Sequence, residues 1–535
     1  MKVARSAAEV LRERVELEVE CIDRMYLNLY VPMLQSESGV AWFWRNHRGY
    51  TFASSGLMAP MSQEFISKIE RFAEQNEIDL IRLEKGQRKE DVAREYLAEF
   101  TEDEGVLFIG KAQEKAKVIR TQRRRNPETG APYAWLYSST SMVNQFYFYC
   151  VDQDFGPFFL KFCSYFPYNA KVCLNGHEYL KRQLEKRGIA YEPLDNGILS
   201  CSEPKRLQRI CESLTPKRID ALIRKWFARL PHPFPPKDRK AGFRYDVSIL
   251  QAEFSLTQVL DRPLTGRIFF EEIIRENLDL GRPEQVQLIF DRRILRTTKA
   301  RFRTRVITQG VTPSLLVDFK SSKIKQYHKE GRALRTETVV NNTYDFAIGR
   351  RLHNLPALQE LGFSANRRLL DVQRISHDCS IGEDNFDRIT RPVLLDGTRA
   401  SGLRFGDHRA HALFLALVLF RLLPRGFTNR DLRQEVAPLL GLDPGNITQG
   451  MMTYDLRRLR MHGLIERVPK THRYTVTDFG FRAALFLSRA HARLLRPAMS
   501  AVGSGDPPSP AYLRQAFRQV DHAVQRLWTE KRPAA

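Results

Sequence analysis

Apolar and polar positions follow two different periods along this chain, and the changes of period mark out its elements. Val15 to Val31 places Val19, Cys21, Ile22, Met25, Leu27, Leu29 and Val31 in a strand-like run, with one acid, Asp23, inside it. Trp42-Phe43-Trp44 packs a short helix, and Ser62 to Gln75 has the spacing of an amphipathic helix. Ile78 to Leu83 reads as a strand, Glu90 to Phe100 as a helix and Gly105 to Ile109 as another strand. Phe146 to Val151 and Pro157 to Cys163 are apolar strands around the polar turn Asp152 to Gly156. Asn175 opens a helix to Arg187, and Thr215 caps a basic amphipathic helix from Pro216 to Leu230. This rhythm predicts an N-terminal α/β domain over residues 1–230 with part of its sheet parallel.

Four prolines between Pro231 and Pro236 predict an interdomain linker over residues 231–242. The period-two pattern then dominates residues 243–345. After a helix near Leu264 to Glu276 come short strands at Val286 to Phe290, Arg301 to Thr308, Ser314 to Phe319, Lys323 to Lys329 and Ala333 to Val340. Turns at Gln309-Gly310 and Glu330-Gly331 predict an antiparallel meander. Residues 346–405 read as a helical connector. Residues 498–535 are a Gly/Ser/Pro-rich linker and a terminal helix, Ala511 to Glu530, able to pack on the preceding domain or pair with a second copy.

Residues 406–497 carry the most specific pattern. His411 to Leu423 is an apolar run too short to span a bilayer. Thr428 caps a helix ended by Gly441, and Asn446 or Thr448 opens another that carries Tyr454, Arg457, Arg458 and Arg460 and stops at Gly463. Leu464 to Val468 and Tyr474 to Thr477 flank a polar turn, and Asp478 caps a last helix. This order resembles a winged-helix DNA-binding domain over about residues 410–497. The resemblance implies that Tyr454, Arg457 and Arg458 face a groove of DNA, and that Lys470 and Arg473 on the hairpin reach its backbone. The same order also serves protein contact or dimerisation.

Charge sharpens the choice of partner. The formal net charge is +23 and the pI is near 9.8, which favours a polyanion: nucleic acid, DNA or RNA, ahead of an anionic membrane. Residues 401–535 hold 21 Lys/Arg against 10 Asp/Glu. Lys111 to Arg125 holds seven cations and one acid, the composition of either a solvated loop or an arm that tracks a phosphate backbone. In the meander, Arg301, Arg303 and Arg305 share one strand face, as do Lys323, Lys325, Tyr327 and Lys329, and as do Arg335 and Glu337. Side by side these predict a cationic platform for nucleic acid. Lys-x-Tyr-x-Lys, Leu334 to Asn341 and Asn175-Gly176-His177-Glu178 resemble a widespread, uncharacterised bacterial protein family, a resemblance that implies no activity and no sites. Seven scattered cysteines without a Cys-x-x-Cys pair, and an N-terminus without an apolar core, predict a cytoplasmic, non-membrane protein.

Catalysis would require acids. Asp23 in a first strand, Asp152 or Asp154 at a strand end and Glu178 at a helix start could converge at a sheet edge. Asp23, Asp152 and Glu178 would then bind Mg²⁺ as in ribonuclease H-like nucleases and transposases, which this pattern resembles. Asp152 and Asp154 are equally what a hairpin turn prefers, and Glu178 suits a helix N-terminus electrostatically. Two readings follow. One is a metal-dependent nuclease or transposase-like enzyme. The other is a non-catalytic winged-helix regulator with a sensing or partner-binding N-terminal region.

Overall fold

The computed structural model describes residues 14–84, 87–262, 303–309, 312–329, 333–375 and 382–491, except Asp396, Phe405, Leu422 and Pro424, with isolated positions beyond. Arg301, the strand expected at Val286 to Phe290, the helix expected near Leu264 to Glu276 and the expected terminal helix lie outside the described residues. The chain divides into two compact units, residues 1–374 and 375–535. Among the described residues no helix is long and apolar enough to cross a membrane.

The first unit is built on one sheet. Its strands are β1 (Val15–Tyr30), β2 (Leu80–Arg82), β3 (Gly105–Arg125), β4 (Pro132–Asp152), β5 (Gly156–Cys163) and β6 (Ala170–Asn175). A separate hairpin, β7 (Tyr191–Leu194) and β8 (Gly197–Cys201), comes next in the chain. The sheet then resumes with β9 (Asp246–Leu260), β10 (Arg303–Gln309), β11 (Thr312–Phe319), β12 (Ser322–Lys329) and β13 (Ala333–Val340). Across the sheet the order is β10-β11-β12-β13-β9-β1-β6-β5-β4-β3-β2. Among the described strands β2 and β3 run parallel, and every other neighbouring pair is antiparallel.

Two expectations are corrected here. The meander is not a sheet of its own: β9 bonds β1 on one side and β13 on the other, joining both halves of the unit. The proline-rich stretch is not a free linker either. Phe234 is fully buried against Phe166, Tyr168 and Tyr245, and Asp238 is fully buried between His47 at 2.8 Å and Arg48 at 2.6 Å. The stretch bends at Pro233 and Phe234 and then opens a short helix, Pro236–Lys240, that carries Asp238 into the core instead of spacing two domains.

The longer helices of this unit are α1 (Glu37–Trp42), α2 (Ser55–Gln75), α3 (Lys89–Glu99), α4 (Gly176–Lys186), α5 (Pro204–Glu212), α6 (Pro216–Arg229) and α7 (Leu355–Ile375). On α7, Asn366 accepts from Thr338 Oγ1 at 2.7 Å and donates to the Phe254 carbonyl at 2.9 Å. Gln373 and Gln326 exchange amide bonds across the same contact. The even-numbered residues of β12 and β13 therefore face α7, and the odd-numbered ones face the other way.

The geometry of β1 sets up the buried chemistry. Ile22 pairs with Phe254 and Met25 with Ala252, so β1 takes three residues where β9 takes two. The extra residue makes a bulge, which re-aims side chains, and Asp23 sits in it. Beside the bulge α4 begins. A Cβ on Gly176 would lie 2.1 Å from the Ile22 carbonyl oxygen, so glycine is required for the helix to start there. Asn175 caps α4 by accepting from the His177 amide at 2.8 Å.

The second unit contains α8 (Gly382–Thr390), the hairpin β14 (Val393–Leu395) and β15 (Thr398–Ala400), then α9 (His408–Phe420), α10 (Asn429–Leu439) and α11 (Gln449–Met461). The hairpin β16 (Ile465–Arg467) and β17 (Tyr474–Val476) and helix α12 (Asp478–Ala490) complete it. Thr428 caps α10 in a reciprocal box with Asp431, and Thr448 caps α11.

Candidate nucleic-acid interface

The acids expected to share a metal are each held by their own partners. Asp23 is buried; Arg335 donates to it at 2.6 Å, and the Asn196 amide donates to its other oxygen. Asp152 accepts from Lys225 at 2.8 Å, the Trp226 indole at 2.9 Å and the amides of Asp154 and Phe155 at 2.9 and 3.1 Å. Asp154 pairs with Lys186 at 2.5 Å, and Glu178 with Lys181 at 2.9 Å. Asp23 and Asp152 lie on β1 and β4, which are separated by β6 and β5. Three strand spacings put them about 14 Å apart, far beyond the reach of one cation. Among the described residues no group of three or more His, Cys, Asp or Glu could hold a metal. The expected convergence of Asp23, Asp152, Asp154 and Glu178 is thus replaced by separate ion pairs.

Around Asp23 the pairs form a closed network. Antiparallel cross-strand partners share a face, so Tyr327, Arg335 and Thr257 stand in one row, and Lys325, Glu337, Ser255 and Cys21 in the next. Arg335 is fully buried; it also donates to Glu337 at 2.7 Å, to the Asn196 carbonyl and to His177 Nε2 at 2.9 Å. A guanidinium only donates, so His177 accepts there. Tyr327 donates to Glu337 at 2.8 Å. Burial alone would raise the Asp23 pKa, but the Arg335 charge and the Asn196 and Arg335 hydrogen bonds outweigh it and bring it down to about 2. Glu337 and Tyr327 are pulled into the same cluster. Burial, the Glu337 charge and the bond to Glu337 all push the Tyr327 phenol well above its ordinary range.

The cationic face expected on the meander is accordingly smaller than its sequence. Arg335 is interior. Lys323, Lys325, Tyr327 and Lys329 are half-buried, with Lys325 Nζ 4.3 Å from the Tyr327 ring centre and Lys329 3.7 Å from Asp195. Arg303 and Arg305 are in β10, on the sheet edge.

The second unit presents a clearer surface. On α11 the residues Gln449, Gly450, Thr453, Tyr454, Arg457 and Arg460 are exposed and recur at helical spacing, while Met452, Asp455, Leu456 and Leu459 are buried. Arg409 on α9 fixes the inner face by bonding Asp455 at 2.7 Å. The Tyr454 hydroxyl bonds Ser401 at 2.8 Å, and more than half of the side chain remains exposed. Lys470 is exposed at the hairpin turn, where its φ is 57°. Two expected contacts are corrected. Arg458 is buried and donates to the Ser401 carbonyl at 2.9 Å and to the Gly402 carbonyl. Arg473 is spent on the carbonyls of Arg425 and Gly426, both at 2.7 Å. Arg460, exposed beside Arg457, belongs in the set instead; its place one turn on from Arg457 was the available signal.

No protein-family model, curated protein or solved structure matches this chain.

Proposed function

We propose that the chain is a non-catalytic nucleic-acid-binding protein whose C-terminal unit is a winged helix that holds duplex DNA. The observation that carries this is the exposed stripe of α11, Gln449, Thr453, Tyr454, Arg457 and Arg460, with Lys470 on the following hairpin. A helix of this kind fits the major groove, where Arg and Gln read base edges and phosphates alike. The hairpin supplies a cation for the neighbouring backbone. The dispersed acids favour binding over phosphoryl transfer, since two-metal chemistry needs carboxylates around ions about 4 Å apart. The large sheet of the first unit then serves as a scaffold and partner-binding region.

Titrating the full chain into a labelled duplex tests this. Replacing Arg457 and Arg460 together by Ala should weaken binding about tenfold or more, and each lost phosphate contact should flatten the salt dependence by about 0.9 in log–log slope. Equal duplex affinity in the double variant and the wild type would show α11 to be a protein-contact face. Mg²⁺-dependent cleavage that is lost in Asp23→Asn while the variant stays folded would return the reading to an enzyme.

A further inference from the structure

The β3–β4 hairpin leaves the sheet behind. The last β4–β5 pair is Gln145 with Cys163, yet β3 and β4 stay paired out to Arg125 and Pro132. That is thirteen further residues of β4, about 44 Å of two-stranded ribbon. Its two faces differ. On one, Ile119 and Leu136 join the hydrophobic core, Thr121 accepts from the Ser55 amide at 2.7 Å, and Ser138 donates to Glu37. The ribbon is therefore seated on the start of α2 and on α1, not free to flex as a loop. Its tip is also ordered: Asn126 bonds the Ala131 carbonyl at 2.9 Å and accepts from the Glu128 amide at 2.8 Å.

On the other face Val118 is buried, but from Arg120 outward it is open and carries Arg120, Gln122 and Arg124 opposite Tyr137, Trp135 and Tyr133. Tyr133, Trp135 and Tyr137 are 40%, 44% and 37% exposed. An aromatic ring carries a large apolar area that burial would stabilise, and here three in alternate positions are left open. Arg124 lies over the Trp135 ring at 4.6 Å, held there through Gln122, to which it donates twice at 3.2 Å. Between Lys111 and Asn144 there are seven Lys/Arg and two Glu. One of those acids, Glu114, is already taken up by Lys89, Lys161 and Tyr147.

We propose that this face binds single-stranded nucleic acid, its bases stacking on Tyr133, Trp135 and Tyr137 and its phosphates meeting Arg120 and Arg124. The Tyr133 and Trp135 ring centres are 6.5 Å apart, about twice the 3.4 Å rise of one stacked base. One base therefore fits between two rings once they turn parallel. Bases in a duplex are already stacked and offer the rings nothing, so the face selects unpaired strands. Stacking on aromatics tolerates any base, which makes the surface non-sequence-specific. It is separate from the α11 stripe and does not rest on it.

The test uses the full-length chain, labelled dT and U oligonucleotides of about twenty nucleotides (several times a minimal site), and a duplex of equal length. Trp135→Ala with Tyr137→Ala should lower single-strand affinity about tenfold or more and change duplex affinity less than twofold. Arg124→Gln should make the single-strand salt slope shallower by about 0.7. Wild-type Trp fluorescence should quench on adding oligo-dT, and this quench should shrink when Trp135 is replaced. The dT and U arms show whether DNA, RNA or both are taken. Unchanged melting of the variants establishes that the fold is intact. Equal single-strand affinity in wild type and variants overturns the proposal, as does an equal loss on duplex. So does binding of the wild type, but not the aromatic variant, to phosphatidylserine-containing vesicles without any single-strand effect. Failure of duplex binding alone would count against the α11 reading and leave this one standing.

Discussion

Asp23 and Arg335 form the most consequential pair of residues in the first unit. Both are almost wholly buried, and the guanidinium is shared with Glu337, His177 and the Asn196 carbonyl. Removing one member of a buried pair leaves the other uncompensated, at a cost of about 3–5 kcal/mol. Arg335→Met should therefore lower stability by about that much, because two carboxylates lose one cation. Asp23→Asn should cost less, since Glu337 still answers the arginine. The pH dependence has a definite sign. The folded pKa of Asp23, about 2, is below its ordinary value of 3.8. Its contribution is thus complete above about pH 4 and is lost as pH falls from there through 2. Denaturant melts of wild type and Asp23→Asn should differ most above pH 4 and converge toward pH 2. A gap that stays constant across that window would remove Asp23 from the ion pair.

At the scale of the element, α11 shows that neighbouring arginines can do opposite work. Arg457 and Arg460 are exposed, whereas Arg458 is tucked beneath the helix against the carbonyls of Ser401 and Gly402. Arg458→Ala should strand both carbonyls and lower stability by about 1–3 kcal/mol. Arg457→Ala should leave the melting temperature within the scatter expected of surface changes, about 0.5 kcal/mol, and weaken duplex binding. If the two variants melt alike, Arg458 is not the structural member. The β3–β4 ribbon teaches the same lesson for strands. Arg120 and Ile119 are adjacent in sequence, yet one faces solvent and the other belongs to the core, because alternation sends them to opposite faces.

For the whole molecule, the decisive fact is that β1 lies between β6 and β9. The N-terminal strand takes one neighbour from residues before the proline-rich stretch and one from residues after it. A fragment ending at residue 240 keeps β1 but loses β9, exposing a long apolar strand edge. Such a fragment should be aggregation-prone and lack a cooperative melt, while residues 1–374 should retain one; a soluble, cooperatively melting fragment 1–240 would contradict the single-sheet account. The net charge of +23 acts at this scale too. A charge of this sign favours approach of polyanions over long range, and binding to nucleic acid should accordingly weaken as salt rises.

The sequence by itself determined the local pieces. Hydrophobic period placed the meander strands and the basic helix from Pro216 within a few residues of where they lie, but it stopped β3 at Ile109, began β4 at Phe146 and missed β6 and β9. Capping chemistry placed Thr428, and Thr448 as one of two candidates with Asn446, because a cap is a contact between residues two or three apart. The shared face of Arg335 and Glu337 was legible too, since alternate residues of one strand point the same way, and the two do pair. Tertiary structure alone decided what those pieces mean together. Asp23 meets Arg335 across 312 positions of chain, and no local pattern encodes such a partner when the sequence offers 85 Lys and Arg. The same limit hid the dispersal of the acids, the burial of Arg458, the capture of Arg473 by two carbonyls, and the seating of the proline-rich stretch in the core. Period reports which face a residue is on; only the packed fold sets what covers that face.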